Sequence, residues 1–321
     1  MLDGLHPQVR ALMAAAGAED GEQGPPDLAA ERAAYLDTAL RLGGAAEPVA
    51  ATEDVVVPSG EARLPARLYV PQHAPETTGL LVWFHGGGWY MGDIEGFDRV
   101  GRALANASGL RTLVPEYRLA PEHPWPVPAD DARATMAWAR TAAGAGQLRA
   151  DPARVLVGGD SAGGQLAALA ARDARSDGAP PLLAQLLVYP ALDAAMDSDA
   201  YRELADAPML TADDMRVCWQ RYLGDRADGA HDADVLSAAD HEGLPPTWVA
   251  VAGIDPLRDD GLRYAAALRD SGVPVEATCF DDMTHGFLRW GGVVDRTREL
   301  LDWLGGAARA VTAERDGAAP G

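Results

Sequence analysis

A chain of 321 residues with 48% hydrophobic content can bury the core of one large α/β domain or two small ones. Its 48 acidic residues against 27 basic ones give a net charge of −21, which leaves no basic surface for tracking nucleic-acid phosphates. All 27 basic residues are arginine, so Schiff-base chemistry, pyridoxal-phosphate attachment, a Walker A lysine and a Ser–Lys dyad are excluded together. Residues 1 to 48 read as two helical segments, one carrying Val9, Leu12 and Met13 and the other Tyr35, Leu36, Leu40 and Leu42. The Gly- and Pro-containing stretch 21–26 is expected to break the pattern between them.

From Asp54 onward, short β-type runs appear at Val55–Val57, Leu64–Val70, Leu80–Phe84 and Thr112–Pro115. Four more follow at Val155–Val157, Leu186–Tyr189, Trp248–Val251 and Val275–Phe280. Helical patterns at Phe97–Ala107, Ala129–Ala143, Ala162–Arg175 and Asp259–Arg269 separate most of the later runs. That alternation predicts βαβ units, hence a mostly parallel sheet with helices on both faces. A helix at Thr211–Leu223 lies in an insertion running from 192 to about 242, and a last helix is expected around Asp295–Ala310.

Three points concern the class of protein. Cys218 and Cys279 are too few for a disulfide framework or a four-cysteine metal knot. The start Met1-Leu2-Asp3-Gly4 lacks a basic region followed by an apolar one, and no run of about 18 apolar residues occurs. A soluble cytoplasmic protein without a membrane or nucleic-acid partner is expected. The lysine-free, acidic composition fits GC-rich coding bias, with salt adaptation as the alternative.

The strongest chemical signal is Val155-Leu156-Val157-Gly158-Gly159-Asp160-Ser161-Ala162-Gly163-Gly164. An apolar run, Gly-x-Ser-x-Gly and an Ala/Leu-rich helix follow one another, as a nucleophile elbow requires. The helix that leaves the turn aims its N-terminal N–H groups at Ser161, which favours developing negative charge. Upstream, Phe84-His85-Gly86-Gly87-Gly88-Trp89 places three glycines where backbone N–H groups can turn inward toward an oxyanion. His85 itself reads as a structural residue of that loop. A base is then sought among seven histidines. His285 directly follows the run Val275–Phe280 and its short acidic continuation, in a loop where α/β active sites are assembled. His123, by contrast, is held between prolines. Asp255 follows the run Trp248–Val251 and is the preferred acid, holding the His285 tautomer. Asp259, Asp260, Asp281 and Asp282 remain competitors. His231-Asp232-Ala233-Asp234 reads as a solvated acidic loop rather than a metal site.

Aromatic residues flank these motifs. Trp89 and Tyr90 follow the glycine loop, Tyr189 ends a strand, and Phe287 lies two residues past His285; all four are expected as pocket walls. Met209, Leu210, Trp219 and Tyr222 of the insertion are candidates to roof the site. Such walls predict a closed apolar pocket for short acyl chains.

Taken in order, His85-Gly86-Gly87-Gly88-Trp89, Tyr117-Arg118-Leu119-Ala120-Pro121-Glu122-His123-Pro124, Gly159-Asp160-Ser161-Ala162-Gly163-Gly164, Asp255-Pro256-Leu257-Arg258-Asp259 and His285-Gly286-Phe287 resemble one family. It is the bacterial hormone-sensitive-lipase family of α/β-hydrolase esterases, in its Gly-Asp-Ser-Ala-Gly subgroup. The resemblance covers most of the chain from about residue 50, and Leu5-His6-Pro7-Gln8-Val9-Arg10 looks like the family's N-terminal helix. It implies an α/β-hydrolase fold with an eight-stranded, mostly parallel sheet flanked by helices. It also implies Ser161 as nucleophile, Asp255 as acid, His285 as base, and the N–H groups of Gly87, Gly88 and Ala162 as oxyanion hole. Helices within residues 1–48 and the insertion 192–242 would form a cap over a catalytic domain spanning 49–321. No cofactor or metal is implied. A homodimer is expected by analogy, through a last strand at the sheet edge. One departure is Asp234-Val235-Leu236-Ser237-Ala238, where the family commonly has a Ser-Pro-Leu-like segment. The function expected is a serine carboxylester hydrolase for short-chain acyl esters. The alternatives are an amide or formamide hydrolase, an acyltransferase, or a non-catalytic small-molecule receptor.

Overall fold

The computed structural model describes residues 4–16, 27–225, 230–238 and 240–317. The expected break at 21–26, the side chain of His231 and the last four residues lie outside the described residues. Eight strands form one sheet: β1 (Ala51–Ser59), β2 (Ala62–Val70), β3 (Thr78–Phe84), β4 (Arg111–Pro115), β5 (Ala150–Asp160), β6 (Ala184–Val188), β7 (Thr247–Ile254) and β8 (Val275–Thr284). Their order is β1-β2-β4-β3-β5-β6-β7-β8. β1 and β2 form an antiparallel hairpin and β2 runs antiparallel to β4, whereas β4, β3 and β5 to β8 are parallel. The chain thus has the α/β-hydrolase fold expected of it.

Helices in chain order are α1 (Pro7–Ala16), α2 (Leu28–Leu42), α3 (Ile94–Ser108), α4 (Val127–Ala139), α5 (Ala142–Leu148), α6 (Ala162–Ala174), α7 (Asp199–Glu203), α8 (Ala212–Leu223), α9 (Ala230–Ala233), α10 (Arg258–Asp270) and α11 (Arg296–Gly317). The helix read at Ala129–Ala143 is divided into α4 and α5 because Thr141 starts a new helix, its hydroxyl accepting from Gly144 N–H at 3.0 Å. Elsewhere the caps explain the boundaries. Asp93 caps α3 at Gly96 N–H (2.6 Å), and Gly109 closes it in the left-handed region at φ 73°. Thr211 and Asp214 form a capping box at the start of α8.

The period-two pleat divides the buried residues between two cores. On β3, Leu80, Val82 and Phe84 face the core shared with α4, α6 and α10. Leu81 and Trp83 face the other core, with Phe97 and Leu104 of α3 and Leu300 and Leu304 of α11. Every residue of β3 is buried, as a central parallel strand requires, while β1 alternates inward and outward beyond Asp54. The sheet therefore presents the C-terminal ends of β3, β5, β7 and β8 along one rim. β8 occupies the edge, as expected of the last strand. Among the described residues, no helix is long and apolar enough to cross a membrane.

Candidate active site

β5 ends at Asp160, and the chain turns at once into α6. Ser161 makes that turn at φ 56° and ψ −123°, a backbone region costly for any side chain. Its N–H donates to Val188 O at 2.9 Å, which fixes the turn on the neighbouring strand. The flanking glycines are steric necessities. A Cβ on Gly163 would lie 2.0 Å from Phe84 O, and one on Gly159 2.3 Å from Gly163 O. Ser161 is held at the amino end of α6 with its hydroxyl facing the rim.

His285 follows the last residue of β8, and Asp255 follows β7. His285 Nδ1 lies 2.7 Å from Asp255 Oδ2, and its Nε2 lies 2.9 Å from Ser161 Oγ. A carboxylate only accepts, so Nδ1 carries the proton toward Asp255 and Nε2 is left to accept from the Ser161 hydroxyl. The other Asp255 oxygen accepts from Leu257 N–H at 2.9 Å, and the residue is wholly buried. The competing acids are engaged elsewhere. Asp259 accepts from Ala200 N–H and pairs with Arg258, Asp260 accepts from the N–H groups of Leu192 and Asp193, and Asp282 pairs with Arg296. Asp281 packs its backbone against Gly253. His85 is buried with Nδ1 on Gly86 O, its ring stacked on Tyr117 at 4.4 Å, and burial pushes its pKa down to about 4. It is a neutral support of the loop, as the sequence suggested.

Gly87 and Gly88 hold φ values of 125° and 58°, so the loop after β3 can fold back only because they lack side chains. Asp160, whose role the sequence did not single out, ties that loop to the Ser161 turn. Its Oδ1 accepts from Gly86 N–H and Trp83 Nε1, each at 3.1 Å. Desolvation raises the Asp160 carboxyl to about 6, against the attraction of Arg289.

These parts enclose a cavity of about 440 Å³. Gly87, Gly88, Asp160, Ser161 and His285 line its inner end. Its walls come from α2 (Tyr35, Thr38), the glycine loop (Tyr90), the insertion (Met209, Leu210, Met215, Cys218) and the segment after His285 (Arg289, Trp290). Of the four expected aromatic walls, Tyr90 lines the cavity. Trp89, Tyr189 and Phe287 stand behind it instead. Trp89 is wholly buried, stacks on Tyr222 at 4.4 Å, and donates Nε1–H to Gln165 Oε1 at 3.1 Å. Tyr189 packs against the His285 ring at 4.5 Å, and Phe287 packs edge-on to Tyr189 at 5.8 Å. Trp219 and Tyr222, candidates for the roof, are likewise core residues around Trp89, whereas Met209 and Leu210 reach the cavity. Large rings gain more by full burial than by facing a wet pocket, which explains the displacement. The sequence missed Tyr35, Thr38, Arg289 and Trp290 as lining residues. No motif marks them.

The segment that departs from the family pattern is well anchored. Asp234 accepts from Ala194 and Ser237 N–H groups, and Val235 N–H donates to Leu192 O. Among the described residues, no group of three or more His, Cys, Asp or Glu side chains is arranged to hold a metal ion.

Comparison with known proteins agrees with this architecture. The profile of a family with the alpha/beta hydrolase fold matches residues 81–289. Carboxylesterase NlhH of Mycobacterium tuberculosis is 39% identical over 240 residues, covering 74% of this chain and 75% of that protein. An ethyl acetate hydrolase of Pseudomonas putida is 32% identical, covering 82% of this chain and 84% of that protein. Among solved structures, the ester hydrolase EH1AB1 from the metagenome of Lake Arreo superposes with a TM-score of 0.89 at 32% identity, covering 95% of this chain and 98% of that one. By this family match and these identities, the chain belongs to the hormone-sensitive-lipase-like esterases of the α/β-hydrolase fold.

Proposed function

We propose that the protein is a serine carboxylester hydrolase of the Gly-Asp-Ser-Ala-Gly subgroup, cleaving short-chain acyl esters through an acyl-enzyme. One observation carries the reading: a continuous hydrogen-bonded chain from Asp255 through both nitrogens of His285 to Ser161 Oγ. Ser161 Oγ attacks the ester carbonyl while His285 Nε2 takes its proton. The N–H groups of Gly87, Gly88 and Ala162 receive the developing oxyanion, helped by the positive end of α6. His285 then returns the proton to the departing alcohol. Water, activated by the same imidazole, attacks the acyl-enzyme and releases the acid and the Ser161 hydroxyl. Asp255 holds the tautomer and stabilises the imidazolium that forms.

The two N-terminal helices and the segment 192–242 act as a cap. Tyr35 and Thr38 from the first and Met209, Leu210 and Met215 from the second support that role by lining the cavity. An ethyl acetate hydrolase among the relatives supports the short-chain preference. The test is hydrolysis of a neutral ester such as p-nitrophenyl butyrate, with fluorophosphonate labelling in parallel. Ser161→Ala is expected to lose turnover by several orders of magnitude and to lose the label, while its thermal midpoint stays near that of the wild type. Near-wild-type turnover in this variant would overturn the mechanism. Labelling without any ester turnover in the wild type would instead favour a non-hydrolytic ligand-binding role.

A further inference from the structure

Among the described residues, Arg289 is the one arginine lining the cavity that holds Ser161 and His285. It sits in the 3₁₀ turn Phe287–Arg289, four residues past His285, and its N–H donates to Gly286 O at 3.2 Å. The guanidinium carbon lies 3.8 Å from the centre of the Tyr35 ring and 5.7 Å from that of Phe97. A guanidinium stacked in this way keeps its plane fixed and its edge donors free for a planar partner. Its Nη1 is shielded from solvent and has no hydrogen-bond partner. The adjacent residue repeats the pattern. Trp290 is 1% exposed, lines the same cavity, and its Nε1 also has no partner.

Both groups can only donate. A buried donor without an acceptor is costly, more so when it is charged, so such a pair is poor architecture for the fold alone. Asp160 attracts Arg289 through space, but one of its carboxylate oxygens is already taken by Trp83 and Gly86, and no ion pair joins the two residues. The cavity's other carboxylates are engaged, Glu31 by Arg221 and Asp214 by the Thr211 N–H and hydroxyl, and Met209, Leu210 and Met215 carry no charge.

We propose that Arg289, with Trp290 beside it, forms a subsite for a carboxylate carried by the ester substrate. The enzyme would therefore favour half-esters of dicarboxylic acids, or esters of hydroxy acids, over neutral isosteres. The inference rests on the serine-hydrolase reading and extends it to substrate class. A guanidinium meets a carboxylate through two parallel hydrogen bonds, which fixes the position of the ester group relative to Ser161 as well as adding affinity.

The experiment compares kcat/KM for matched pairs in the wild type, Arg289→Gln and Arg289→Lys. One pair is mono-p-nitrophenyl glutarate against p-nitrophenyl butyrate, with the carboxylate on the acyl side. The other is O-butyryl glycolate against ethyl butyrate, with the carboxylate on the alcohol side. In at least one pair, Arg289→Gln is expected to lower the anionic-to-neutral ratio at least tenfold, chiefly through KM, and Arg289→Lys to restore part of it. The pair that responds assigns the side. Equal losses on both members of both pairs would make Arg289 merely structural and overturn the subsite, as would an unchanged ratio. Hydrolysis of the neutral esters by the wild type reports separately on the serine mechanism, so either failure is recognisable.

Discussion

Asp160 adjoins the proposed nucleophile with both its charge and its hydrogen bonds buried, and its titration links the site to stability. The folded protein holds the Asp160 proton up to a pH of about 6, whereas the unfolded chain releases it near 3.8. Folding therefore takes up a proton between those values, and stability falls as pH rises through that window. Ionised, the group costs about 3 kcal/mol, while an amide in its place still accepts from Gly86 and Trp83. Asp160→Asn is thus expected to melt several degrees above the wild type at pH 8, with the difference gone at pH 4. His85 acts oppositely, losing stability as pH falls from 6.5 through about 4, but it is common to both proteins and cancels. Melting curves at the two pH values check the sign, and a difference that grows toward acid would refute it. A second pair of substitutions separates the acids. Asp255→Asn is expected to lower kcat roughly 10³–10⁴-fold by imposing the wrong tautomer, and Asp259→Asn to leave kcat within a few-fold. The opposite ranking would move the acid to Asp259. At this scale the sequence was informative wherever chemistry is written in adjacent residues, as around Ser161 and His285. It was silent on Arg289, because nothing local distinguishes a stacked, unpaired guanidinium from a solvated one.

Among the elements, α2 shows how a helix of the proposed cap is held over a cavity. Asp27 caps it, and Arg32 then crosses to the body of the protein. Its guanidinium donates to Tyr90 O at 2.7 Å, to Ala120 O at 2.9 Å and to both oxygens of Glu122. One helical position earlier, Glu31 takes a two-pronged bond from Arg221 of α8, whose cation lies 4.3 Å from the centre of the Tyr90 ring and holds the Glu31 carboxyl below its usual range. Exposed ion pairs contribute little, but donors to backbone carbonyls at a partly buried seam contribute more. Arg32→Gln is therefore expected to raise KM several-fold for a neutral ester and to increase proteolysis before β1, with a modest fall in melting temperature. Unchanged KM and unchanged proteolysis would show that α2 is seated by packing alone. Sequence patterning placed this helix but not its contacts, since Arg32 and Glu122 are 90 residues apart. It also shortened β1 to Val55–Val57, because Thr52, Glu53 and Asp54 look polar. Pairing with β2, not hydrophobicity, extends the strand back to Ala51. The short helices α7 and α9 escaped notice for want of length.

For the molecule as a whole, the sheet and the proposed cap together set what can reach Ser161. The parallel strands bring residues 87, 161, 255 and 285 to one rim, so the proposed reacting groups are carried by a rigid layer. The cover is softer. Met209 and Met215 line the cavity, and Met209 is 49% exposed at its edge. Thioethers adapt their shape, so the walls can follow acyl chains of several lengths before the seam at Arg32 and Glu31 must open. A cavity of about 440 Å³ is at the small end of ligand pockets and fills early. Each methylene buried before that point adds about 0.8 kcal/mol, and each one beyond it must displace the cap or stay in water. With p-nitrophenyl esters, kcat/KM is therefore expected to rise from acetyl to roughly butyryl or hexanoyl and to fall steeply by dodecanoyl. Trp89, Tyr189 and Phe287, which stand behind the cavity, do not impose this limit. It comes from Tyr35, Tyr90 and the methionines, so Met215→Ala is expected to move the optimum toward longer chains. An optimum at dodecanoyl or beyond in the wild type, or faster cleavage of emulsified long-chain triglyceride, would show that the cap opens freely and that cavity size does not set the acyl preference.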